Sequence, residues 1–250
     1  MSTHKSHIQA RFNQASGTYE SVAFIQRDAA KILTSFLSSN LPFFKPNLIL
    51  DIGTGVGGVV EFLLEKFPLA TFTLNDISFN MLKKAKEKFS HQKNITFHLG
   101  DLETSCFPYQ DLIISNFALQ WADNLDNTLV RFYEYSNVLA FSCLLKGTFY
   151  EWERIFIKEN LASPIKNYPT LEKLDTFLGA FNSSYYFSKV IEFDICFPNA
   201  FSFMTYLKKL GASSSSAYKK GSYKPLHHII TNHKEEIKTR YNVFFGIIKK

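Results

Sequence analysis

The chain has 250 residues, 46% apolar and 20% charged, a size and composition that suit one α/β domain, with or without a cap. No apolar run approaches the ~18 residues of a membrane span, the opening MSTHKSHIQARF lacks an apolar signal core, and Cys106, Cys143 and Cys196 show no CxxC spacing, so a membrane protein, a zinc site and a disulfide framework are not expected and a reducing cytoplasmic setting is. The net charge of +6 is uneven: residues 201–250 hold ten Lys or Arg against Glu235 and Glu236 alone, a surplus of +8, which leaves −2 for residues 1–200.

Residues 1–15 are polar and expected to be loose at the start, and the segment 16–40 reads as a helix. Ser16 or Thr18 is placed to cap it, and Val22, Ala23, Ile25, Ala29, Ile32, Leu33 and Phe36 recur at helical spacing. Tyr19 and Gln26, two turns apart, share one face of that helix. Pro42 and Pro46 end it. LILDI at 48–52 suits a buried strand, and Gly53, Gly55 and Gly57 break it into a turn that feeds a helix at 58–67. Glycines permit backbone angles closed to other residues and let the main chain approach a ligand. The spacing is GxGxG, not the GxGxxG of dinucleotide folds, and Asp51 stands two residues before the first glycine. In that form the stretch resembles motif I of class I methyltransferases, which bind S-adenosylmethionine (SAM).

The next strand, 70–76, ends in Asp76, and an acid there accepts from ribose hydroxyls in doubly wound folds. Asn75 beside it is the weaker candidate. Ser78 caps a helix at 79–89 with Met81, Leu82, Ala85 and Phe89 inward. NITFHL at 94–99 is a third strand, followed by Gly100 and Asp101. Asp101 is placed to accept from an adenine amine, and Leu102 to offer its backbone N–H to a ring nitrogen. DLIIS at 111–115 is a fourth strand, ending at Asn116. Ligands bind beyond the carboxyl ends of such strands, and four consecutive ends now offer Gly53, Asp76, Asp101 and Asn116 to one crevice.

Further on, Asp123 opens a helix, VLAFSC at 138–143 is strand five, and a short helix at 149–161 is ended by Pro164. Thr170 caps a helix at 171–181. Strand six covers 185–197, and Asn199 caps a helix at 200–210 with Gly211 at its end. A basic, serine-rich loop covers 213–225, and a last strand 240–250. The fold expected is a doubly wound α/β sheet, seven-stranded and mostly parallel, in a single domain over 1–250. The N-terminal helix 16–40 and insertions at 144–169 and 197–238 are expected to form a lid over the strand ends.

RFNQASGTYESVAFIQ at 11–26, ILDIGTGVG at 49–57, NDISFNML at 75–82, SNFALQW at 115–121, KGTFYEWERIF at 146–156, YLKKLGA at 206–212 and YNVFFGIIKK at 241–250 come in this order. Together they resemble the malonyl-[acyl-carrier protein] O-methyltransferase family of biotin synthesis, over nearly the whole chain. SNFALQW is the most specific piece. The Leu-x-Pro-Gly-Gly turn usual before strand five is absent, where the chain reads EYSNVLAF, and the segment 102–110 is short.

The resemblance implies methyl transfer from SAM to the free carboxylate of malonyl on acyl carrier protein, with no metal. A carboxylate is already ionised at neutral pH, so no acid–base residue is required. It further implies that Asp51, Gly53, Gly55, Gly57, Asp76, Ile77, Asp101 and Leu102 hold the cofactor, with Asn116 and Gln120 near its methionine end. On the substrate side the residue chemistry offers Tyr19, whose phenol can donate to a carboxylate, and Lys208, which can pair with the malonyl carboxylate or the phosphate of the carrier's arm. Acyl carrier proteins are acidic as a class, so the basic surface of 201–250, including Lys219, Lys220 and Lys224, is the expected docking face. A small acid or quinone substrate is the alternative within enzymes. A basic RNA-binding or regulatory SAM-binding protein is the alternative outside them, but no single-strand stacking module or NPPY-like motif accompanies the tail.

Overall fold

LILDI, FTLN and LIIS have little or no polar face, the pattern of parallel strands buried on both sides. In the computed structural model, which describes residues 3–163, 165–212 and 223–250, they form the middle of one sheet. Its strands are β1 (Leu48–Ile52), β2 (Thr71–Asp76), β3 (Ile95–Leu99), β4 (Gln110–Asn116), β5 (Ser136–Leu144), β6 (Tyr185–Phe197) and β7 (Ile237–Lys249). The order is β3-β2-β1-β4-β5-β7-β6. The first five strands are parallel, and β7 runs antiparallel between β5 and β6. The doubly wound, mostly parallel sheet is therefore as expected. Chain direction across the sheet reverses at β1 and β4, the switch point where such sheets open a crevice.

Alternate residues of β1 feed opposite cores. Ile49 packs with Leu33, Leu63 and Phe72 on one face, and Leu50 and Ile52 with Ile113, Leu129 and Leu139 on the other. Each such fully buried side chain contributes roughly 1.5–3 kcal/mol relative to exposure. Helices α2 (Phe24–Asn40), α3 (Gly58–Lys66), α4 (Phe79–Lys88) and α5 (Leu125–Glu134) link or flank these strands. Local signals set their ends: Ser78 Oγ accepts from the Met81 N–H as the α4 cap. Thr170 caps α7 (Leu171–Gly179) and Asn199 caps α8 (Ala200–Lys209) in the same way.

Tertiary contacts move several boundaries. The polar opening is not loose but forms helix α1, Thr3–Ala15. The expected helix over 16–40 is interrupted: Tyr19–Ser21 is a 3₁₀ turn, and α2 begins only at Phe24 with no side-chain cap. The Thr18 hydroxyl instead donates to the carbonyls of Ala15 and Lys209, pinning the turn to the end of α8. Asp123 does not open α5. Asn124 does, because the Glu103 carboxylate takes the backbone N–H of both Asp123 and Asn124 and holds them outside the helix. Without its Pro-Gly-Gly turn the chain passes directly from Tyr135, the last cap of α5, into β5 at Ser136.

The insertion after β5 holds α6 (Tyr150–Lys158) and α7, and the one after β6 holds α8 and α9 (Tyr223–Asn232). The end of the expected basic loop, 223–225, thus belongs to a helix. Pro164, the serine run, Lys219 and Lys220 lie outside the described residues, as does the side chain of Lys224. Edge-on rings join the two insertions: Trp152 meets Phe156 and Phe203, and Phe149 meets Phe203 and Tyr241. Among the described residues no helix is long and apolar enough to cross a membrane.

Candidate active site

At the switch point the strand ends surround a cavity, the place where ligands bind in such sheets. Gly53 and Gly55 line it from the turn after β1, Asp76 and Ile77 from β2, Asp101 and Leu102 from beyond β3, and Asn116 from β4. The expected gathering of these residues is present. Gly53 has φ +67 and Gly55 has φ +56, a region open to glycine at little cost. A Cβ on Gly53 would stand 2.2 Å from that of Ala118, whereas one on Gly55 would meet nothing within 4 Å. The first glycine lets two strand ends approach, and the second leaves room for a ligand.

Asp76 organises that turn. Its Oδ2 accepts from the Gly55 N–H at 2.8 Å and its Oδ1 from the Ser78 N–H at 2.7 Å. Burial raises its pKa to about 6, with the N–H groups of Ser78, Gly55 and Ile77 opposing the rise. Asn116 has a scaffold part beside its place in the lining. Its Nδ2 donates to the Gln26 carbonyl and its Oδ1 accepts from Ser142 Oγ, so its polar ends tie α2 to the sheet while its flank faces the cavity. Phe117, next to it, lines the cavity at φ +56, a strained angle for a bulky residue.

Other expected residues lie outside the lining. Asp51 sits beneath the turn, 1% exposed. Gly57 caps α3 against the ring of Phe89. Gln120 is buried in the 3₁₀ turn Leu119–Trp121. Lys208 is exposed on α8. No described residue of the two insertions lines the cavity; the covering comes from the N-terminal segment, through Lys5, Ile8, Phe12 and Tyr19.

Lys5 is the residue sequence reasoning missed most completely. It is 3% exposed, lies 3.3 Å from Asp101 and 2.5 Å from Glu103, and donates to the Trp121 carbonyl. Burial works against ionised Glu103, yet the Asp123 N–H, the Lys5 ammonium and the Asn124 N–H hold its pKa below the usual value. Gln9 donates to the Ile77 carbonyl, and Asn13 Oδ1 accepts from Ser78 Oγ and the Asn80 N–H. Thus α1 is fastened across the ends of β2 and β3. For the helix, though not for Lys5, the signal was present: Ile8, Phe12 and Ala15 recur every three or four residues.

The amino-acid sequence and the fold both have relatives. Residues 49–137, from β1 into β5, match the model of the "Methyltransferase domain" family. The chain is 33% identical over 245 residues to a malonyl-[acyl-carrier protein] O-methyltransferase of Neorickettsia risticii, covering 97% of this chain and 96% of that one. It is 31% identical to a protein of the same name from Priestia megaterium, covering 97% of each. The chain belongs to the malonyl-[acyl-carrier protein] O-methyltransferase family. A magnesium protoporphyrin IX methyltransferase from Synechocystis PCC 6803, solved with bound SAM, shares the fold at a TM-score of 0.59 and 12% identity, covering 100% of this chain and 99% of that one.

The buried polar atoms of this methyltransferase fit SAM. Both carboxyl oxygens of Asp51, Asn75 Oδ1 and Gln120 Oε1 are buried without a hydrogen-bond partner in the protein. All are acceptors, and SAM is rich in donors: two ribose hydroxyls, an adenine amine and an ammonium. Its sulfonium adds a second positive charge, which suits a site lined by Asp76 and Asp101 with Asp51 beneath the glycine turn. Among the described residues no group of three His, Cys, Asp or Glu is placed to hold a metal.

Burial raises the pKa of Asp51 to about 7; the nearby Thr54 hydroxyl lowers it in part, and the charge of Asp76 raises it further. In the SAM-free protein Asp51 therefore keeps its proton over a range where the unfolded chain has lost it. Its contribution to stability is full below about pH 4 and is lost as pH rises towards 7. Asp51→Asn, which cannot ionise, is expected to unfold at higher urea than the unaltered protein at pH 8, by on the order of 1–4 kcal/mol, and to differ little at pH 4. An equal difference at both pH values would refute the assignment.

Proposed function

We propose that this protein transfers the methyl group of SAM to the free carboxylate of malonyl carried on acyl carrier protein, giving the methyl ester that primes the pimeloyl chain of biotin. The observation that carries the reading is the convergence of four strand ends on one acidic, acceptor-rich cavity in a chain related over its full length to enzymes of that name. When bound, SAM supplies an electrophilic methyl on a sulfonium; the carbon–sulfur bond breaks as a carboxylate oxygen forms the new carbon–oxygen bond.

The protein's part is approach and orientation. Asp76 and Ile77 would hold the ribose side, Asp101 and Leu102 the adenine, and Gly53, Gly55 and Asp51 the methionine end. The helix α1 covers the cavity and excludes water, which protects a sulfonium from hydrolysis. Tyr19 stands over the cavity from the turn before α2. Its burial, and then the negative charge of Asp76, keep the phenol protonated well above neutral pH, so it remains a donor for a carboxylate oxygen. Cytoplasmic work is consistent with three unpaired cysteines, Cys106 and Cys196 exposed and Cys143 buried.

The deciding experiment is mass spectrometry of malonyl-acyl carrier protein incubated with SAM and the protein. A gain of one methyl on the malonyl group is expected, and no gain there, with transfer to a quinone or free acid instead, would sink the reading. Tyr19→Phe is expected to lower kcat/KM for the malonyl substrate about 10- to 100-fold, the loss of one hydrogen bond to a charge, with SAM affinity unchanged by calorimetry. Equal losses in both would place Tyr19 on the cofactor alone.

A further inference from the structure

A second cavity shares Tyr19, Gly53 and Asn116 with the first. It leads away from that junction over Val56 and Val59, between the 3₁₀ turn, α2 and α3, to Phe24 and Arg27. Phe24 is 51% exposed and the Arg27 side chain 72% exposed, so this end is open to solvent. The end of α8 adjoins the opening: the Phe24 ring lies 5.8 Å from that of Tyr206, and the Thr18 hydroxyl donates to the Lys209 carbonyl at 3.0 Å. Lys208 and Lys209 are exposed there. The acids of the wall are already matched, because Lys88 bridges Glu20 at 2.5 Å and Glu61 at 2.7 Å. Arg27 reaches Glu61 at 3.8 Å, so Lys88 and Arg27 together balance the two acids, and the surplus of positive charge beside the opening comes from Lys208 and Lys209.

We propose that this second cavity is the channel for the acyl arm of acyl carrier protein, a deepening of the substrate reading above on which it rests. The malonyl carboxylate reaches the Tyr19–Asn116 junction, the pantetheine chain lies over Val56 and Val59, and its phosphate meets Arg27 at the rim. The acidic carrier itself rests against Lys208 and Lys209. Lys208 thus has a substrate role outside the cavity, as part of the docking face. The arm is long and narrow, carries two amides and ends in a phosphate; the channel mixes apolar Val56 and Val59 with polar Gln26 and Thr54 and has Arg27 at its mouth. The shared residues give the arm one path to the place where SAM would present its methyl.

The test compares two substrates, malonyl-acyl carrier protein and the malonyl thioester of N-acetylcysteamine, which has neither phosphate nor carrier. Arg27→Glu and the double variant Lys208→Glu/Lys209→Glu are assayed at low salt, with SAM affinity by calorimetry as the measure of an intact fold. Each is expected to raise KM for the carrier substrate about ten-fold or more, with less than about two-fold change for the short thioester and for SAM. Equal effects on both substrates, or none on the carrier, would overturn the channel. No transfer to either substrate by the unaltered protein would instead overturn the substrate reading, and the channel with it. Malonyl-coenzyme A separates the sources of phosphate: a rise in its KM with Arg27→Glu and not with the double variant is expected, and the reverse would refute the assignment of Arg27 to phosphate.

Discussion

Asp76→Ala is expected to weaken SAM binding at least about 100-fold by calorimetry while the chain stays folded by circular dichroism. The carboxylate does two things that alanine cannot. It would accept from the ribose, and hydrogen bonds to a charged group are each worth roughly 1.5–3 kcal/mol. It also accepts from the Gly55 and Ser78 N–H groups, so its loss loosens the glycine turn as well as removing the ligand contact. The pH profile separates these effects. Because the folded carboxyl titrates at about 6, SAM affinity of the unaltered protein should fall as pH drops below that value. Asp76→Asn keeps a neutral acceptor and should bind weakly at every pH, without that fall. An unchanged affinity in Asp76→Ala, or the same pH dependence in Asp76→Asn, would remove Asp76 from the ribose.

The second large effect is a contrast between two glycines of one turn. Gly53→Ala forces a methyl to 2.2 Å from Ala118 Cβ at a φ of +67. Left-handed strain of about 1–2 kcal/mol and overpacking of about 1–3 kcal/mol add to roughly 3 kcal/mol, a fall in Tm of about 6–12 °C for a chain of this size. Gly55→Ala places its methyl in open space at φ +56, so only the strain applies. Its stability loss should be half that of Gly53→Ala or less, yet its SAM affinity should fall about ten-fold or more, because the methyl occupies room the ligand needs. Thermal unfolding and calorimetry on both variants check this. If Gly55→Ala bound SAM normally, the main chain at Gly55 would not contact the cofactor.

Local chemistry explains which features could be read without coordinates. Ser78, Thr170 and Asn199 were legible as caps because a side-chain oxygen three residues before a backbone N–H acts within a single turn. The strands β1, β2 and β4 were legible because aliphatic runs buried on both faces are continuous in sequence. The interrupted helix at 16–23 was not, because the contact that pins it, Thr18 to Lys209, spans 191 positions. The boundary of α5 was lost in the same way to Glu103, some 20 residues upstream.

The site divides along the same line. The turn Gly53–Gly57 and the acids Asp76 and Asp101 follow strand ends, so their order in the chain already foretold their meeting. Lys5 did not, since a lysine in a polar segment reads as a surface residue and becomes a buried one only when Asp101 and Glu103 supply opposite charge.

By itself, then, the chain of residues determined the sheet and the cofactor turn, which rest on periodicity and spacing over a few residues, and its motifs carried the resemblance to the family. Only the folded molecule decided that α1 closes the cavity, that Asn116 serves the scaffold, and that a second passage opens beside Arg27. Those features are set by contacts between segments far apart in sequence, where burial and charge pairing outweigh what each residue prefers alone.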